Sequence, residues 1–107
     1  MKKIIITEKQ LENILLETNN TDVYFDTFSA AVQHARQHTE LRGFEIDEDD
    51  WWREVSVGDG RPKEGRDTRI TVGLIKNGIP QKKSLHIQVY NRGLKYKNNY
   101  ELNFYIL

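Results

Sequence analysis

Three stretches in the second half of the chain alternate apolar and polar residues with a period of two. The apolar positions are, in chain order, Ile70, Val72 and Leu74, then Leu85, Ile87 and Val89, then Tyr100, Leu102, Phe104 and Ile106. A period of two places successive side chains on opposite faces of a strand, so each stretch has one apolar face. The pattern predicts an antiparallel sheet that is covered on one side only.

Short connectors join the three predicted strands. The connector 76–82 contains Asn77-Gly78, and the connector 91–99 contains Gly93. Both are short enough for hairpins, and Asn-Gly is the commonest sequence of a two-residue hairpin turn. Successive hairpins of this kind make a three-stranded meander.

Helical periodicity precedes the strands. An apolar stripe with helical spacing consists of Phe28, Ala31, Val32 and Ala35. Asp26 or Thr27 is suited to cap this helix, and Gly43 is suited to end it. The four acids of 47–50 favour the first turn of a short third helix, while the alternative is an extended run toward Val57. The predicted fold is α+β, with two to three helices packed on one face of a three-stranded antiparallel β-meander.

The N-terminal segment has the pattern of a separate amphipathic helix. Thr7 and Gln10 have the spacing of a capping box, and Ile6 and Leu11 have that of a hydrophobic staple. We predict an N-terminal unit over 1–17, a polar linker over 18–23, and the α+β domain over 24–107.

The net charge of zero conceals a strong asymmetry. Residues 1–60 carry 6 Lys or Arg and 13 Asp or Glu, a balance of −7. Residues 61–98 carry 10 Lys or Arg and 2 Asp or Glu, a balance of +8, and Glu101 completes the sum. Such a split bears on partners and association rather than on the fold.

Several site chemistries are disfavoured by the residues present. The absence of cysteine excludes disulfides, cysteine-ligated zinc and thiol catalysis. His34 and His38 have the spacing of a helical zinc site, but the adjacent glutamate and a third ligand are missing. The acids of 47–50 lack the spaced ligands and the glycine of a calcium loop. We expect no metal, no cofactor, no catalytic residue and no small-molecule substrate.

Membrane insertion is not expected either. No run approaches the ~18 apolar residues that a membrane helix needs. The apolar start at Ile4-Ile5-Ile6 is shorter than the core of a signal peptide, which spans about 7–15 residues. We therefore expect a cytoplasmic protein, or one that is assembled into a larger particle from the cytoplasm.

Two sets of residues are candidates for partner binding. The basic set, mostly in predicted loops, is Arg61, Lys63, Arg66, Lys82, Lys83, Arg92, Lys95 and Lys97. The aromatic set is Trp51, Trp52, Tyr90 and Tyr105. Adjacent helical residues point about 100° apart, so one of the two tryptophans is expected in the core and the other partly exposed. Basic loops beside a sheet that carries aromatic side chains can also hold nucleic acid.

One part of the chain resembles a known domain. The segments that carry the likeness are Ile-Asp-Glu-Asp-Asp-Trp-Trp (46–52), Gly-Arg-Pro-Lys (60–63), Lys-Asn-Gly-Ile-Pro-Gln-Lys-Lys-Ser-Leu-His-Ile-Gln-Val-Tyr (76–90) and Tyr-Glu-Leu-Asn-Phe-Tyr-Ile (100–106). Together they resemble a small uncharacterised domain found in proteins of large tailed bacteriophages. With the preceding helix the resemblance covers about three-quarters of the chain. No activity is assigned to that domain, so the resemblance implies no catalytic residues.

The N-terminal segment has a second resemblance. Residues 1–17 resemble the targeting peptides of internal phage head proteins, which are short amphipathic helices. Such peptides end in a Leu/Ile-x-Glu tripeptide that the phage maturation protease cuts. Leu15-Leu16-Glu17 matches this tripeptide just before the predicted linker, so the resemblance implies a processing site there.

These observations favour a non-enzymatic phage protein that acts through protein–protein contacts, as a head-associated structural component of the virion. Its partners would be other phage structural proteins or further copies of itself, first in the host cytoplasm and then in the virion. Two alternatives stay open: a nucleic-acid-binding module that uses the basic β half, and a phage inhibitor of a host defence protein.

Overall fold

The computed structural model describes residues 23–57 and 60–107. In chain order the elements are β1 (Tyr24–Phe25), α1 (Phe28–Leu41), β2 (Glu45–Ile46), α2 (Glu48–Trp51), a π-helical turn (Trp52–Ser56), β3 (Asp67–Lys76), β4 (Ile79–Asn91) and β5 (Tyr100–Ile106). The predicted N-terminal helix, the linker up to residue 22 and the Leu15-Leu16-Glu17 tripeptide lie outside the described residues.

The sheet contains five antiparallel strands in the order β1-β5-β4-β3-β2. The α+β class and the three long strands are confirmed, but the predicted total of three strands is wrong. Two-residue strands extend the sheet at both edges, where Tyr24 pairs with Glu101 and Glu45 pairs with Ile75. Two residues cannot show a period, and their pairing depends on the long strands already being in place.

A two-residue turn joins β3 to β4. Asn77 and Gly78 both have positive φ, 53° and 78°, as the predicted Asn-Gly hairpin requires. The register shifts between Gly73 and Ile75, which places a bulge near this end of the hairpin. The Gly73 N–H donates to Asp50 Oδ2 at 2.9 Å, and a Cβ at Gly73 would lie 2.9 Å from that oxygen. A side chain at this position of β3 would therefore displace the Asp50 carboxylate and its hydrogen bond to the β3 backbone.

Helix α1 covers the apolar face of the sheet. Its first turn is capped by Thr27, whose Oγ1 accepts from the Ala30 N–H at 3.0 Å, and Gly43, with φ of 95°, follows its end. The buried apolar side chains are Phe28, Ala31, Val32, Ala35, Ile46, Trp51, Ile70, Val72, Leu74, Leu85, Ile87, Val89 and Leu102. The core thus lies between α1 and one face of β3, β4 and β5.

Arg36 of α1 contacts α2 through an ion pair with Glu48 and a cation–π contact with Trp51. The short third helix is confirmed, and Trp51 is buried in the core while Trp52 is 64% exposed. The Arg36 guanidinium lies 5.0 Å from the centre of the Trp51 ring and donates to Glu48 Oε1 at 3.1 Å. The hydrogen bond with Glu48 raises the pKa of Arg36, against the opposing effect of burial.

We expect Arg36→Ala to lower the free energy of unfolding by about 1–2 kcal/mol, because it removes a two-point ion pair and a cation–π contact. Urea unfolding measures this loss. The matched control is Arg42→Ala, which removes an exposed arginine just beyond the same helix and should cost less than half as much. Equal losses in the two variants would contradict the role given to Arg36.

Candidate functional site

The face of the sheet opposite α1 carries a polar and aromatic surface, which we call the open face. Its members, taken from the strand register, are Tyr24, Asp67, Arg69, Thr71, His86, Gln88, Tyr90, Glu101, Asn103 and Tyr105. Arg92, just after β4, joins them through its contact with the Tyr24 ring. They share this face because they alternate with the buried residues of β3, β4 and β5. Helix α1 lies on the opposite side, and α2 reaches this side at the hairpin end of β3, where the Asp50 carboxylate lies against Gly73.

Tyrosine is concentrated on the open face. Of the five tyrosines in the chain, only Tyr100 occupies a position on the side that α1 covers. Tyr90 is 39% exposed and Tyr105 is 49% exposed, so both rings present area to a ligand. Tyr105 stacks on His86 with ring centres 4.9 Å apart and planes 16° apart. The stack fixes the orientation of the exposed Tyr105 ring.

Arg92 is held between two tyrosine rings at one end of the open face. Its guanidinium lies 4.0 Å from the Tyr24 ring centre and 4.7 Å from that of Tyr96. It also donates to the carbonyl oxygens of Lys97 and Asn98 at 3.2 and 3.1 Å. The sequence identifies Arg92 as a partner-binding cation, whereas these contacts use it to fasten the loop after β4 to β1.

Asn91 joins the two loops at this end of the sheet. Its Nδ2 donates to the Pro62 carbonyl at 3.0 Å, and its Oδ1 accepts from the Gly93 N–H at 2.9 Å and from Asn99 Nδ2 at 2.8 Å. Asn99 is itself buried. These three hydrogen bonds fix the loop before β3 against the loop after β4.

The two loops together form a basic edge, which we call the basic rim. Its exposed members are Arg61, Lys63, Arg66, Lys95 and Lys97. Lys82 and Lys83 lie toward the opposite end of β4, roughly 30 Å from Arg92 at the usual rise per residue. The structure therefore divides the basic set identified from the sequence into a large group at the rim and a pair near the hairpin.

Charge is divided between the helices and the long strands. Residues 23–57 carry three Lys or Arg and eight Asp or Glu, a balance of −5. Residues 60–107 carry ten Lys or Arg and three Asp or Glu, a balance of +7. The first range forms α1, α2 and the short edge strands, and the second forms the long strands and the basic rim. The open face thus belongs to the positive half of the domain.

A shallow cavity of about 480 Å³ lies on the open face beside β1. The residues that line it are Val23, Tyr24, Gln88, Tyr90, Glu101, Leu102 and Asn103. Within this set Tyr90 pairs across the strands with Glu101, and Gln88 pairs with Asn103. The cavity therefore combines aromatic rings, amides and one carboxylate in two adjacent rows.

Asp67 and Gln88 are hydrogen-bonded across β3 and β4. Gln88 Nε2 donates to Asp67 Oδ2 at 2.7 Å, and Arg69 Nε donates to the same oxygen at 3.2 Å. The hydrogen bond from Gln88, followed by that from Arg69, lowers the pKa of the Asp67 carboxyl. Since the folded-state pKa lies below the unfolded one, the stabilisation is present at neutral pH and is lost as pH falls through the folded pKa.

Gln88→Ala should raise the pKa of Asp67 toward the ordinary carboxyl value, because it removes the larger of the two hydrogen-bond contributions. The carboxyl ¹³C shift of Asp67, followed by NMR from about pH 2 to about pH 7, measures this change. Thr71→Ala, a substitution on the same face away from Asp67, is the control. An unchanged Asp67 pKa in Gln88→Ala would contradict the assignment.

The two tryptophan candidates lie outside the strands of the sheet. Trp52 is exposed on the π-helical turn, beside the acids of α2. Among the described residues no group of three or more His, Asp or Glu is placed to hold a metal ion. None of the described helices is long and apolar enough to cross a membrane.

Apart from Tyr90, Arg92 and Tyr105, the members of the open face were not identified from the sequence as binding residues; Glu101 and Tyr24 illustrate the two reasons. Glu101 alternates with the apolar positions of β5, so the period of two already placed it on the polar face. Tyr24 lies on a two-residue strand, for which the sequence has no comparable signal. A scan of protein-family models, a search of curated proteins and a search of solved structures each found no match to this chain.

Proposed function

We propose that this domain is a binding module whose open face holds single-stranded nucleic acid. The observation that carries the proposal is the exposed tyrosine surface on an uncovered sheet, with a basic rim at one end. Unpaired bases stack on exposed aromatic rings, and an antiparallel sheet with one free face is a common support for them.

The spacing of the aromatic groups supports this assignment. Tyr90 and His86 are four residues apart on β4, or roughly 13 Å at the usual rise per residue. Tyr105 extends the surface onto β5, next to His86. An extended single strand can therefore place separate bases on Tyr90 and on Tyr105.

The electrostatics support the same assignment. Phosphates that follow the bases along the sheet reach the basic rim, where Lys95 and Lys97 are exposed. Arg69 adds a further cation on the open face itself. The α2 acids Asp47 and Asp50 lie beside Gly73, seven residues or roughly 23 Å along β3 from Arg66, so salt screens them from phosphates held at the basic rim.

Binding should be measured as the fluorescence anisotropy of labelled single-stranded oligonucleotides of about ten nucleotides, a length typical of such surfaces. If about four phosphates contact the basic rim and Arg69, raising salt from about 50 to about 200 mM should weaken binding roughly 50-fold. Tyr90→Ala and Tyr105→Ala should each weaken it about 5- to 100-fold through the loss of stacking.

Two controls accompany this experiment. Tyr90→Phe keeps the ring and should retain most of the affinity, and Arg42→Ala removes a cation from the helical side and should not change it. Absence of binding at low salt, or binding that does not respond to salt, would refute the proposal.

A second candidate function is protein docking within a phage particle, as the sequence resemblance implies. The observation that favours it is Trp52, a large apolar side chain that is 64% exposed beside the acids of α2. A partly exposed tryptophan with a polar surround is a frequent anchor of protein interfaces. Trp52 adjoins α2, which lies beside Gly73, roughly 23 Å along β3 from the basic rim, so this surface can serve a structural partner separately.

Trp52→Ala should reduce incorporation of the protein into purified particles by roughly tenfold or more, the effect expected from loss of an interface anchor. Quantitative mass spectrometry of the particles measures this, and Trp52→Phe is the control that keeps an aromatic ring. Because Trp52 is exposed, thermal unfolding should change little in either variant. Absence of the wild-type protein from the particles would rule out this function.

A further inference from the structure

Glu101 is an unusual residue on the open face, because it is a carboxylate in the basic half of the domain. It pairs with Tyr90 of β4 on one side and with Tyr24 of β1 on the other. Asp67, the other acid on this face, is hydrogen-bonded to Gln88 and Arg69. The Glu101 side chain makes no hydrogen bond or ion pair with the residues that the structure describes, so both of its oxygens can accept from a ligand.

The cavity around Glu101 has the composition of a site for one planar base. Its volume of about 480 Å³ is within the range of small-ligand sites. Tyr24 and Tyr90 supply rings on either side of the carboxylate, and Asn103 lies two residues along β5 on the same face. The Asn103 amide also makes no hydrogen bond within the described part of the chain, so it can donate to an acceptor on the base.

The hydrogen-bonding edges of the four bases differ in a way that a carboxylate detects. Two carboxylate oxygens accept best from two adjacent donors. On its Watson–Crick edge guanine presents N1–H beside the N2 amino group, with the O6 acceptor next to them. Adenine and cytosine each present one amino donor beside an acceptor nitrogen, and uracil and thymine present one N–H between two carbonyls. Only guanine therefore satisfies both oxygens of Glu101.

A cationic side chain of a partner protein can also bind a carboxylate that lies between aromatic rings. The positive charge around Glu101 disfavours a ligand of that kind. Arg92 lies against the Tyr24 ring, and Arg69 and the basic rim add further positive charge. These cations repel a lysine or an arginine of a partner protein and attract a polyanion. Single-stranded nucleic acid suits these surroundings. Its neutral bases carry hydrogen-bond donors for Glu101, and its anionic backbone is attracted by the neighbouring cations.

We infer that the cavity at Glu101 selects guanine from among the bases of a bound single strand. Glu101 accepts from N1–H and N2–H, Asn103 donates to O6, and Tyr90 stacks on the ring. This inference rests on the proposed binding of single-stranded nucleic acid and adds base preference at one position.

The test compares oligonucleotides that differ at one base. The probes are ten-residue oligothymidylates with a central thymine, guanine, adenine, cytosine or hypoxanthine, and the corresponding oligouridylate RNAs, all bound to the full chain. The guanine probe should bind roughly 5- to 100-fold more tightly than the adenine and cytosine probes. Hypoxanthine lacks the N2 amino group and should lose most of that preference, and the DNA and RNA series establish whether the sugar matters.

The isosteric variant Glu101→Gln should remove the preference for guanine, measured as the ratio of the affinities for the guanine and adenine probes, because loss of one negative charge affects all probes alike. Glu54→Gln, on the π-helical turn away from the open face, should keep the preference. If all probes bind the wild-type chain equally, the guanine inference fails while the proposed function stands. If no probe binds, both fail. If the preference persists in Glu101→Gln, Glu101 is not the residue that reads the base.

Discussion

The whole arrangement depends on one constraint: the long strands have a single apolar face. Ile70, Ile87 and Leu102 turn to the same side of the pleat, and α1 is the one long helix of the described chain that covers them. Burial of the apolar side stabilises the domain by the hydrophobic effect. The same alternation places tyrosines, amides and charged groups on the other side. An open face thus follows directly from the pattern that builds the core.

The long elements could be predicted from the sequence because each repeats its pattern several times. The ten residues of β3 show the period of two repeatedly, and α1 shows both its stripe and its cap at Thr27. β1 and β2 have two residues each, so no period exists and their pairing is decided by the neighbouring long strand. Because the sequence does not predict β1, it also does not place Tyr24 on the open face, where this residue lines one side of the cavity at Glu101.

The basic residues illustrate a different limit of sequence reasoning. A lysine or arginine in a loop is ordinarily solvated, and Lys95 and Lys97 follow that rule. Arg92 does not, because Tyr24 and Tyr96 meet around its guanidinium only when the loop closes onto β1. A contact between residues far apart in the chain leaves no local pattern. For the same reason the sequence could not separate the basic rim from Lys82 and Lys83.

The neutral total charge does not weaken the case for a polyanion on the open face. Arg66 and Gly73 are seven residues apart on one edge of the sheet, which places the α2 acids roughly 23 Å from the basic rim. The screening length at physiological salt is about 8 Å, so the acidic group contributes little to the potential at the rim. Each group therefore sets the potential over its own surface almost independently of the other. A domain built in this way can carry two oppositely charged contacts at once, one at Trp52 and one on the open face.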